Sequence, residues 1–167
     1  DLDLSQNRIG IIKEYYFSQN FLIIQLNLSF NEIKFIENNS FNLFSTNFID
    51  LSFNLLTEFS RSYFTRGFVL SFLKINNNRL NNCSLVNQNN DLSSNYLESI
   101  PIKEELYPYV KSLNLNKNNI RFIKNTSFSF KTKYLILLYL AQNRIEAIEF
   151  NAFFYLINLE KLDLSMN

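Results

Sequence analysis

The chain has 167 residues, 47% of them apolar and 18 of them Phe, which is material enough for a continuous core. Its net charge of +1 excludes the strong field that nucleic acid or an anionic membrane would need, so neither is expected as a partner. No apolar run reaches the roughly 18 residues of a membrane span, and with no His and a lone Cys83 no His-dependent triad or zinc site can be assembled.

Taken in order, the chain repeats one figure. Its fixed mark is an Asn, at Asn7, Asn31, Asn54, Asn78, Asn95, Asn118, Asn143 and Asn167, with successive intervals of 24, 23, 24, 17, 23, 25 and 24 residues. All but one fall within the 20–29 residue turn of a solenoid. Three residues before each mark stands Leu4, Leu28, Leu51, Ile75, Leu92, Leu115, Leu140 or Leu164. Two after comes Ile9, Ile33, Leu56, Leu80, Leu97, Ile120 or Ile145, and five after comes Ile12, Ile36, Phe59, Cys83, Ile100, Ile123 or Ile148. Ten after comes Phe17, Phe41, Phe64, Phe128 or Phe153.

The piece before each Asn alternates with period 2, which predicts a short strand whose apolar residues turn inward. Equivalent strands should stack as a parallel sheet. The amides of Asn31, Asn54, Asn78, Asn118 and Asn143 have two donors and an acceptor for backbone groups that no strand pairs at the bend. The phenylalanines at Phe41, Phe64, Phe128 and Phe153 should stack into an aromatic column, and Phe153→Ala should cost roughly 3–5 kcal/mol by the cavity argument. Convex segments such as Glu14–Gln19 and Ser60–Arg66 lack good caps and predict coil, turns and brief helical pieces.

Between Asn78 and Asn95 the turn shrinks to 17 residues, RLNNCSLVNQNNDLSSN. Its start (Leu80, Cys83) and end (Leu92, Asn95) are regular. Its middle is not: Gln88 replaces the Phe and Asn90 stands where an inward Leu belongs. Two origins remain open, a deletion or mis-joined gene, and a real distortion of the solenoid over 79–94.

The figure L-x-x-L-x-L-x-x-N-x-I, best seen from Leu135 to Ile145, resembles the leucine-rich repeat. The wording of Ala152, Phe153, Leu156, Leu159, Leu162–Ser165 and Asn167 is similar to animal extracellular members: Toll-like receptor, Slit-like, chaoptin-like and small proteoglycan ectodomains. The resemblance implies an α/β solenoid, a curved horseshoe of about seven repeats over 1–167. Its parallel sheet would lie on the concave face, with irregular coil and short helical turns on the convex face. Because the chain starts and stops in mid-figure, it is expected to be a piece of a longer array.

Function follows from what is missing and what faces outward. Gly10 and Gly67 stand too far apart for a phosphate loop, and the Glu104/Glu105 pair reads as a solvated polar segment. No catalysis, metal or cofactor is expected. The outward strand positions lie four and six residues before each Asn. Of these, Phe48, Asp50, Phe72, Lys74, Asn114, Leu137 and Tyr139 are the candidate contacts for a protein partner, since exposed aromatics favour binding hot spots. Phe30 and Phe53, just beyond the strands, should add to the patch. Sequons at Asn27, Asn38, Asn82 and Asn125 are no more frequent than this Asn-rich composition yields, and Asn38 and Asn125 are the best acceptors if the protein is glycosylated. The setting is expected to be an extracellular receptor or adhesion ectodomain, without direct membrane contact. The alternative is a cytoplasmic repeat scaffold attached to another domain.

Overall fold

The computed structural model describes residues 1–17, 23–41, 46–64, 70–84, 88–101 and 110–167. The expectations for Glu104/Glu105, Gly67 and the far ends of the two convex segments lie outside them. One eight-stranded parallel sheet runs the length of the molecule, each strand supplied by successive turns. The strands are Leu2–Asp3, Gln25–Asn27, Phe48–Asp50, Phe72–Lys74, Asn89–Asp91, Ser112–Asn114, Leu137–Tyr139 and Lys161–Asp163. Every one lies at the same place relative to its Asn, so pairing is in register throughout, with Leu26 opposite Ile49, Ile49 opposite Leu73, and Leu113 opposite Leu138. These middle residues are fully buried, as period 2 requires. The fold is a leucine-rich-repeat solenoid.

The opposite flank is sparser. Pairs of two-residue strands join Ile11–Ile12 to Phe35–Ile36, Glu58–Phe59 to Asn82–Cys83, and Phe122–Ile123 to Ala147–Ile148. Beyond them, the described convex residues are turns, coil and two 3-10 segments, Arg61–Tyr63 and Phe130–Thr132. Each 3-10 segment is capped by a serine, Ser60 or Ser129, whose hydroxyl accepts the N–H two residues on.

Phe17, Phe41 and Phe64 stack at centroid distances of 5.7 and 5.2 Å, and their backbones bridge in parallel. Phe128 and Phe153 form a second, tilted pair at 6.0 Å. Phe153 needs a correction: it is only half-buried, because no further ring covers its outer face. Its truncation therefore opens less cavity than that of Phe41 or Phe128, and the 3–5 kcal/mol expectation belongs to those two residues.

The Asn marks carry the polar side of the repeat. Asn54 donates from Nδ2 to the carbonyls of Leu51 and Ser52 in its own turn and of Leu28 in the preceding one. Its Oδ1 accepts the N–H of Ile33, also in the preceding turn. Asn31, Asn78, Asn118 and Asn143 repeat this set. The residue before each mark has positive φ: Gln6, Phe30, Phe53, Asn77, Ser94, Lys117, Gln142 and Met166 all lie between 54° and 59°.

The short turn does not break the array. The Asn89–Asp91 strand pairs in register with both neighbours, and Asn95 bonds to Leu80 N–H and the Ile75 carbonyl as its counterparts do. This turn is seven residues shorter than the 24-residue turn before it, yet strand and bend keep their places. Asn90 takes the buried position between Leu73 and Leu113, 3% exposed, as its alignment predicts.

Candidate functional site

The outward residues of the sheet form two columns, one on each side of the buried middle column. Most of the column four before each Asn is engaged in the fold. Asp50 Oδ1 accepts both the N–H and the hydroxyl of Ser52, and Asp91 and Asp163 hold Ser93 and Ser165 in the same way. Asn27 does this for Ser29, and Asn114 takes the N–H of Asn116. A side-chain oxygen at this position thus caps the N–H two residues later and steadies the exit from the strand.

Two turns depart from that rule, the one that carries the exposed Phe72 and the one that carries the half-buried Tyr139. In the first, Lys74 replaces the acceptor and Asn76 replaces the serine. No side chain among the described residues reaches the Asn76 N–H, and Asn76 Oδ1 is buried without a hydrogen bond. In the second, Tyr139 replaces the acceptor and Ala141 the serine; here Asn116 of the preceding turn reaches across to the Ala141 N–H at 2.7 Å. Asn76 and Asn116 were not singled out in the sequence. The signal was present, since both stand where five other turns place Ser.

Around Lys74, Phe48 and Phe72 are direct partners in the sheet, with Phe72 52% exposed and Phe48 half-buried. Lys74 Nζ lies 5.4 Å from the centre of the Phe48 ring and 3.8 Å from Asp50 Oδ2. On its other side Lys74 is opposite Asp91. At the second place, Leu137 and Tyr139 are half-buried, Tyr139 has Asn114 and Asp163 opposite it, and Lys161 Nζ sits 5.0 Å from the Tyr139 ring centre. Phe30 and Phe53 stack at 4.3 Å with an interplanar angle of 8°. They lie at the far end of their strands, five residues along the chain from the Phe48 position, so the early turns carry two aromatic pairs rather than one patch.

Little else on the molecule suggests chemistry. Among the described residues there is no group of His, Cys, Asp and Glu able to hold a metal ion, and no helix is long and apolar enough to cross a membrane. Cys83 is fully buried and burial pushes its thiol up, which keeps it unreactive. Asn38 and Asn125 sit on exposed turns, whereas the Asn27 oxygen is taken by Ser29.

A family model for the leucine rich repeat matches residues 108–167, which hold the marks Asn118, Asn143 and Asn167. The same hydrogen-bonded turn recurs at Asn31, Asn54, Asn78 and Asn95, outside that stretch. No curated protein matches the sequence.

Proposed function

We propose that this leucine-rich-repeat solenoid is a protein-recognition module that binds its partner on the concave sheet and performs no chemistry of its own. The observation that carries the reading is the adjacent pair Phe48 and Phe72 on the parallel sheet, Phe72 exposed and Phe48 half-buried beside Lys74. Such rings lose little side-chain freedom on binding and bury a large area. Leu137 and Tyr139, with Asn114 beside them, are the second contact region.

The setting we propose is an extracellular or cell-surface ectodomain of a receptor or adhesion protein. The resemblance to extracellular repeat proteins supports it, and Asn38 and Asn125, on exposed turns, are where glycan would be carried. Expression through a secretory pathway should then yield glycan at these two positions, detected by mass spectrometry after enzymatic release.

The binding face can be tested without knowing the natural partner. Peptides selected from a displayed random library against the 167-residue chain should lose binding to the Phe48→Ser/Phe72→Ser variant. Unchanged binding by every selected peptide would sink the concave site.

A further inference from the structure

The concave surface is acidic while the chain as a whole is not. Its outward strand positions hold Asp1, Asp3, Asp50, Asp91 and Asp163 against Lys74 and Lys161, although the chain carries a net +1. Two of these carboxylates, Asp50 and Asp91, stand on either side of the turn that breaks the capping rule. Asp50, Lys74 and Asp91 lie side by side on three adjacent strands, two carboxylates flanking one ammonium. Each carboxylate commits Oδ1 to its own serine. Asp50 Oδ2 meets Lys74, while Asp91 has no ion-pair partner among the described residues.

The rings beside this row also favour a cation. Lys74 sits over Phe48 and Lys161 over Tyr139, so concave aromatic faces in this molecule already hold ammonium groups. Phe72 is in the same column as Phe48, more exposed, and has no cation over it among the described residues.

We infer that the Phe48–Phe72–Asp91 region takes a protein segment presenting an arginine or lysine next to an apolar side chain. The apolar group packs on Phe48 and Phe72, and the cation lies against Phe72 with Asp50 and Asp91 as counter-charges. The inference rests on the concave face being the recognition surface, and names the chemistry of what it recognises.

The molecule supplies its own neutral control. Asn27 and Asn114 show that Asn in the aspartate position keeps the cap, so Asp50→Asn/Asp91→Asn removes charge while preserving the turn. The probes are the displayed random peptides, sequenced after selection, then synthesised and titrated against wild-type and variant protein. The expected result is enrichment of Arg or Lys beside apolar residues. Affinity should fall roughly threefold to tenfold in the double Asn variant, and should weaken with added salt. Lys74→Gln, which removes the competing cation, should strengthen binding about twofold. Selected peptides that need Phe48 and Phe72 but are acidic or uncharged overturn the charge inference and leave concave recognition standing. Peptides indifferent to both phenylalanines overturn both, and so does a selection that enriches nothing.

Discussion

At the scale of single residues, the molecule depends on side chains that stand in for backbone. Asn118 makes four bonds at once, to the carbonyls of Leu92, Leu115 and Asn116 and from the N–H of Leu97. Asn118→Ala leaves those buried groups without partners and should lower stability by about 1–3 kcal/mol, read from urea unfolding. Asp163 acts more weakly at the surface. The Ser165 hydroxyl and N–H hold its carboxyl below the ordinary 3.8, as Ser5 does for Asp3. Because the folded value lies below the unfolded one, the stabilisation is present above the ordinary carboxylate range and fades as pH falls through the folded value. Cys83 gives a sharper readout. Its thiol is buried and pushed up, so it should resist a thiol reagent in native buffer and react fully in denaturant.

At the scale of the turn, the exception at Lys74 separates stability from binding. Lys74→Asn/Asn76→Ser installs the acceptor and serine found at Asn27/Ser29 without setting a third carboxylate between Asp50 and Asp91, and should stabilise the chain by about 1 kcal/mol, seen as a higher midpoint of thermal unfolding. This turn also shows what could be read from sequence and what could not. The buried columns were legible because each position meets its own kind in the next turn, so one environment selects one residue type along the chain. The missing cap at Asn76 and the bridge from Asn116 to Ala141 were not, because each depends on substitutions in two places together. The short turn was ambiguous in the same manner: spacing alone left a deletion and a distortion of the solenoid both open. Register, however, is set by strand and Asn, and a turn seven residues shorter disturbs neither. Asp91 was not singled out from the sequence, because its place beside Lys74 and across from Asp50 follows from the strand pairing rather than from its own turn.

At the scale of the whole molecule, each turn is supported by its neighbours, and a residue's worth depends on how many it has. Phe41, 0% exposed between Phe17 and Phe64, should cost roughly 3–5 kcal/mol when cut to Ala, and Phe153 distinctly less, by equilibrium unfolding of both variants. The Asn ladder adds a direction to this stack. From Asn31 onward each amide reaches back to the turn before it: Asn31 closes the N–H of Ile9, Asn54 that of Ile33, Asn78 that of Leu56, and so on to Asn167 and Ile145. Unwinding the last turn therefore frees the Ile145 N–H together with the Leu140 and Gln142 N–H groups that reach the Asp163 and Ser165 carbonyls, whereas unwinding from the first leaves the Asn31 side chain with half its bonds. Those N–H groups form a row of latches, each shut only when the following turn has arrived. Their hydrogen-exchange rates would time, turn by turn, the order in which the solenoid zips and frays.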